Sequence, residues 1–153
     1  MSYKAVRLRA LSDVPSAFGS TFQKESRLDD NEWIARAVRL CSNQAVGYLA
    51  LDTAEYCGIA VCFLDEDDPQ TAQLLSMWVA QRQRKTGMGR MLVEAVAHWA
   101  VAHGARRLRL MVTSSNYPAM DFYRKLGFSP TGRTEPYPND PALEEYEMAK
   151  MLV

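Results

Sequence analysis

Two hydrophobic periods divide the chain. Before about residue 40 the apolar positions fall at helical spacing, and from Val46 onward strand-like runs appear between helices. In residues 3–12, Val6, Leu8 and Leu11 stand among polar neighbours and predict a short helix that ends before Pro15. Pro15 to Phe22 reads as a loop passing into a second short helix that runs to about Leu28. Asp29 or Asp30 is placed to cap a third helix, with Trp33, Ala37 and Leu40 on one face. Val46–Leu51 and Gly58–Phe63 read as strands joined by a turn at Asp52–Glu55. Asp65–Pro69 is an acidic, solvated hairpin end, and a third strand follows over 72–79.

The second half alternates helix and strand. Met88, Leu92, Val96 and Trp99 recur at near-helical spacing from Gly87 to about His103, with Gly104 as the stop. Leu108, Leu110 and Val112 alternate on a strand. A helix ended by Gly127 comes next, then a strand over Phe128–Thr134 and a loop marked by Pro136, Pro138 and Pro141. Leu143–Leu152 is ambiguous: its Glu, Met, Ala, Lys and Leu content favours a helix.

Composition narrows the class. The chain has 153 residues, enough for one domain spanning 1–153, and no internal repeat or linker divides it. Eighteen basic residues balance eighteen acidic ones, so no extended nucleic-acid surface is expected. No apolar run approaches the roughly 20 residues of a membrane span, and Met1–Lys4 lacks a signal-peptide pattern. Cys41, Cys57 and Cys62 lack metal-ligand spacing, and a reducing cytoplasm is the simplest setting for them. His98 and His103, five residues apart, do not share a helix face well enough to hold a metal, so no metal site is expected.

The strongest chemical signal is Arg84-Lys85-Thr86-Gly87-Met88-Gly89, between a strand and a helix. Such a loop aims backbone N–H groups and the positive end of a helix dipole at one point, which suits a phosphate. The two glycines let the backbone approach an anion without a Cβ in the way. Arg82, Arg84, Lys85 and Arg90 surround it in a chain of zero net charge. Taken alone, the loop also fits a solvated basic turn. The Walker pattern fails because Arg90 and Met91 follow Gly89, and the dinucleotide pattern fails because Leu92 stands where its third glycine belongs.

What remains, Arg/Gln-x-x-Gly-x-Gly after a strand, resembles the acyl-CoA pyrophosphate loop of the GNAT superfamily of N-acetyltransferases. A second segment strengthens the resemblance: Asn116, Ala119, Tyr123, Gly127 and Phe128 fall at the spacing of that superfamily's later helix, Asn-x-x-Ala-x-x-x-Tyr-x-x-x-Gly-Phe. The resemblance extends from about Ala45 to Phe128. It implies an α/β (α+β) fold with a central, mostly antiparallel mixed sheet flanked by helices, and a final strand at Leu143–Leu152. The family's usual first strand has no counterpart here: either the sheet lacks it or the chain is a shortened form. A sheet without it would leave an open edge, from which association into a homodimer is an expectation.

The resemblance also implies a site. Gly87, Met88 and Gly89, with Arg84, Lys85, Thr86 and Arg90 around them, would hold the pyrophosphate of acetyl-CoA, the cosubstrate. Met77, Trp78 and Val79 would offer backbone groups to the pantetheine arm. Tyr123 matches the general acid that protonates the leaving thiolate. Asn116 matches a residue that contacts the pantetheine or organises water, and it is also placed to cap its helix. The implied activity is acetyl transfer to a primary amine of a small molecule or protein, with a non-catalytic CoA sensor as the alternative. Glu25, Ser76 and Glu145 are possible bases, and none is assigned. The acceptor would lie against segments 15–35 and 134–143, where Phe18, Phe22, Trp33 and Tyr137 would form walls and Glu25 or Asp140 would attract a cation.

Overall fold

The computed structural model describes residues 1–152. Three helices precede the sheet: α1 (Ser2–Asp13), α2 (Phe22–Glu25) and α3 (Asp30–Arg39). Helix α2 is a single turn, shorter than the predicted run to Leu28. Past Ser26 the chain tightens, with Leu28 N donating to Glu25 O at 3.1 Å, and Asp29 is then extended (φ −76°, ψ 170°) and caps α3. Its carboxylate accepts from Glu32 N at 2.8 Å while the Glu32 carboxylate accepts from Asp29 N at 3.0 Å, a reciprocal capping box.

Six strands follow: β1 (Ala45–Asp52), β2 (Glu55–Leu64), β3 (Thr71–Val79), β4 (Arg107–Thr113), β5 (Ser129–Pro136) and β6 (Glu144–Met151). Helix α4 (Met88–Ala102) joins β3 to β4, and α5 (Tyr117–Lys125) joins β4 to β5. The strand order is β1-β2-β3-β4-β6-β5, and only β3 and β4 pair in parallel. The final segment is therefore a strand, against its helical composition. It sits between β4 and β5, where both rows of backbone groups find partners and where Met148 enters the core at 1% exposure. Strand β5 starts one residue later than predicted because Phe128 turns into the core.

Strand β2 is buried on both faces, which explains its unbroken apolar run. One face carries Cys57, Ile59 and Val61 against Val6, Ala10 and Leu11 of α1. The other carries Ala60 and Cys62 against Leu92, Val93 and Val96 of α4, in a core that continues through Leu108, Leu110 and Met148. Strand β1 is one edge of the sheet, with no strand before it. That edge is not wholly open: Cys41 bridges Val46, and Gly47 N donates to Leu40 O at 3.1 Å. Among the described residues, no helix is long and apolar enough to cross a membrane.

Candidate active site

The site begins where the sheet comes apart. Strands β3 and β4 pair only over Thr71–Gln73 and Arg107–Arg109. Beyond that point β3 has no strand partner on its β4 side. On its other side the register with β2 shifts: Leu75 faces Val61 and Trp78 faces Ile59, so Ser76 and Met77 share the single opposing residue Ala60. Ser76 takes φ 55°, a left-handed value unusual for serine. This is a bulge, and a bulge bends the strand that carries it. The two strands enclose a cavity of about 360 Å³, reached by Ser76, Met77, Asn116, Tyr123, Arg7 and Glu145.

Arg7, which the sequence reading did not single out, holds the bulge. Its Nη1 donates to Ser76 Oγ at 2.6 Å, while Nε and Nη2 donate to the two carboxylate oxygens of Glu25, both at 2.9 Å. Arg36 stands 3.4 Å from the same carboxylate. Burial alone would raise the Glu25 carboxyl, but the hydrogen bonds and charge of Arg7, with the charge of Arg36, lower it below its ordinary value. Glu25 is therefore a committed anion, poorly suited to accept a proton. Nothing in the sequence marks this pair, because Arg7 and Glu25 lie on different helices.

Tyr123 is buried and touches the cavity. Its ring packs edge-on against Phe122 and Phe128. Burial without a charged partner pushes its phenol well above the usual value, so it keeps its proton at neutral and mildly alkaline pH. Asn116 caps α5, its Oδ1 accepting from Ala119 N at 3.3 Å, and it also lines the cavity.

At the far end of β3 lies the basic loop. Arg84 folds back along it: Nε donates to Val79 O at 2.8 Å and Nη2 to Asp13 Oδ2 at 2.7 Å. Asp13 also accepts from Trp78 Nε1 at 2.9 Å, so the end of α1 ties the strand and the loop together. These two bonds brace the loop while the side chain stays 43% exposed. Lys85 and Gly87 both take positive φ, 64° and 90°. Gly87 is required by that conformation, because a Cβ there would meet nothing within 4 Å. Gly89 differs: a Cβ would stand 3.1 Å from Phe122 Cζ, so the missing side chain makes room for α5.

Helix α4 starts without a side-chain cap and without an acidic residue in its first turn. Helices α2, α3 and α5 are all capped, by Thr21, Asp29 and Asn116. Thr86, the nearest hydroxyl, donates instead to Gln83 O. The first N–H groups of α4 have no partner within the helix; Lys85 and Arg90 are nearby in sequence, with Arg90 paired to Glu94 at 2.9 Å. This end of the helix is suited to an anion.

The predicted acceptor walls separate. Phe18 lines the cavity. Trp33 is fully buried under Tyr3, and Tyr137 is buried with its hydroxyl donating to Phe18 O at 2.6 Å, so both are framework. Phe22 is exposed and borders a second, more open groove beside Arg9 and Arg82, away from Tyr123. Asp140 accepts from Ala142 N at 3.1 Å in an exposed turn.

Residues 9–128 match the model of a family described as the acetyltransferase (GNAT) family. The chain belongs to that family. A Bacillus subtilis (strain 168) protein whose name reads "Putative ribosomal protein bS18-alanine N-acetyltransferase" is 29% identical, over 89% of this chain and 87% of the relative. Among solved structures, an acetyltransferase of the GNAT family from Streptococcus pneumoniae superposes with a TM-score of 0.79 at 24% identity, over 98% of this chain and 92% of that one. A Salmonella typhimurium structure that holds its cofactor acetyl-CoA superposes with a TM-score of 0.77 at 15% identity, over 99% and 88%. The fold expected from the two motifs is the fold found.

Proposed function

We propose that the chain moves the acetyl group of acetyl-CoA to a primary amine by direct attack, with Tyr123 as the general acid. The observation that carries this reading is the cleft itself: β3 and β4 part beside Tyr123 and Asn116, and β3 leads from there to the uncapped start of α4. The N–H groups of Gly87, Met88 and Gly89 take the pyrophosphate, and Lys85, Thr86 and Arg90 frame it. Met77, Trp78 and Val79, on a strand paired with β2 on one side and there without a β4 partner on the other, receive the pantetheine arm along that open side. An N–H at the Ser76 bulge stabilises the oxyanion that forms as the amine attacks the thioester carbon. The carbon–sulfur bond then breaks, and Tyr123 gives its proton to the departing thiolate.

The test is calorimetric titration with acetyl-CoA, with ATP as a control that offers phosphates without a pantetheine arm. Thiol release is then followed over a panel of amines. The name of the Bacillus subtilis relative makes an alanine amine of ribosomal protein bS18 a first acceptor to try. Binding of acetyl-CoA with thiol release supports the reading. Binding without release from any amine would favour a sensor, and no binding would defeat both.

A further inference from the structure

The acetyl-transfer reading leaves the acceptor's proton unassigned, and one side chain in the cavity is free to take it. Among the described residues that line the cavity, Glu145 is the only carboxylate. It lies on β6 with its Cα opposite Thr113 of β4 on one side and Glu135 of β5 on the other. Its carboxylate makes no hydrogen bond or ion pair among the described residues, although it is partly buried. The other acid of this region, Glu25, is held by Arg7 and Arg36.

The groups around Glu145 leave it unpaired. Thr113 spends its hydroxyl on Ser16 O at 2.7 Å. Glu135 is paired with Arg133 at 2.7 Å. Glu147, two residues along the same strand and face, is held by Arg107 at 3.0 Å. Arg109 lies nearer Asp65 and stands 3.8 Å from Glu147. Across the cavity, α1 presents Arg7, committed to Glu25, and α5 presents the neutral phenol of Tyr123. Every nearby cation has another carboxylate. An unpaired carboxylate in a half-buried cavity is costly, and a cationic ligand removes that cost.

We propose that Glu145 is the acceptor-site base: it receives the ammonium group of a cationic amine and takes its proton before the attack. The inference rests on the acetyl-transfer reading. The ammonium N–H bond breaks, its proton passes to the Glu145 carboxylate, and the nitrogen lone pair is freed. That lone pair forms the bond to the acetyl carbon, and the carbon–sulfur bond breaks with its electron pair on the sulfur. The nitrogen loses a second proton to water, the thiolate takes the proton of Tyr123, and Glu145 and Tyr123 re-equilibrate with solvent. Burial first, and then the charge of Glu135, raise the Glu145 carboxyl above its ordinary value, which makes it a stronger base than a free carboxylate.

The experiment compares the whole chain with Glu145→Gln, both loaded with acetyl-CoA, using benzylamine (an ammonium ion at neutral pH) and aniline (neutral at that pH). Acetyl-CoA affinity is measured first for each. With benzylamine, kcat/KM is expected to rise with pH through one ionisation above the ordinary carboxylate range. Glu145→Gln should lower that rate by about 100-fold or more and remove the ionisation, while aniline changes by less than about threefold. Glu145→Asp should restore part of the benzylamine rate. Equal benzylamine rates in wild type and Glu145→Gln would overturn the proposal, as would a wild type that binds acetyl-CoA but acetylates neither amine. Failure to bind acetyl-CoA at all would fall on the acetyl-transfer reading instead. Glu145 has no bonded partner to lose and its burial disfavours the charge, so a melting temperature held or raised in Glu145→Gln is expected, which keeps the comparison one of chemistry.

Discussion

The ring of Phe122 occupies the space that a Cβ at Gly89 would need, with Cζ 3.1 Å and Cε1 3.2 Å from that position. The two motifs that stand far apart in sequence, the glycine-bearing loop and the helix that carries Tyr123, are therefore in contact. Gly89 lets the start of α4 sit against the residue next to the proposed acid. This contact joins the start of α4 to α5.

Gly89→Ala tests that joint. The added methyl must push on an aromatic ring and on Met77 Cε at 3.4 Å. Overpacking of this kind costs about 1–3 kcal/mol. The melting temperature is expected to fall, and it would not fall if Gly89 served only to let an anion approach.

Thr86→Glu separates stability from binding at the loop. Position 86 lies just ahead of an uncapped helix start, where a carboxylate interacts favourably with the dipole by about 0.3–1 kcal/mol. The same charge would repel a pyrophosphate. The lost Thr86–Gln83 hydrogen bond offsets that gain, so a melting temperature little changed, together with acetyl-CoA affinity sharply reduced in calorimetry, is the expected pair of results. Unchanged affinity would contradict the loop assignment.

Tyr123→Phe removes the hydroxyl and leaves the packing against Phe122 and Phe128. Turnover is expected to fall by about 100-fold or more, the scale of a positioned acid, while acetyl-CoA affinity stays as it was. Steady-state thiol release and calorimetry on the same preparation decide it: equal turnover would remove Tyr123 from the acid role.

The Arg7–Glu25 pair sets a pH dependence of stability. The folded Glu25 carboxyl lies below its ordinary value of 4.5. Its contribution is therefore fully present above that value and is lost as pH falls through the lower folded one. At neutral pH, Glu25→Gln leaves Arg7 buried without its partner, at a cost of about 3–5 kcal/mol. Denaturant melts of both proteins should show this gap at neutral pH and a narrowing gap below pH 4.5. A gap that does not change with pH would show that the loss is one of packing and not of charge.

Much of the fold was readable because its signals are local. The periodicity of residues 3–12 and 88–102, the stop at Gly127 and the alternation at Leu108, Leu110 and Val112 each depend on neighbours a few positions away. The loop and the Asn116–Phe128 segment were readable for the same reason, since a turn and a capped helix are written in consecutive residues. Residues 144–151 were not, because their helical composition is overruled by two strands that arrive from elsewhere in the chain.

The sequence by itself determined the helices, most of the strands, the family and the positions of Tyr123, Asn116 and Gly87. Only the tertiary structure decided what those residues face. It paired Arg84 with Asp13 and with the carbonyl of Val79, partners that no local pattern marks. It buried Trp33 and Tyr137, which had looked available to an acceptor. It locked Glu25 against Arg7 and left Glu145 without a partner, so two acids of equal standing in the sequence became one paired and one unpaired carboxylate. The reason is physical: a helix or a turn is set by forces acting over one or two turns of backbone, whereas burial and charge pairing are set by whichever distant side chains the fold brings within a few ångströms.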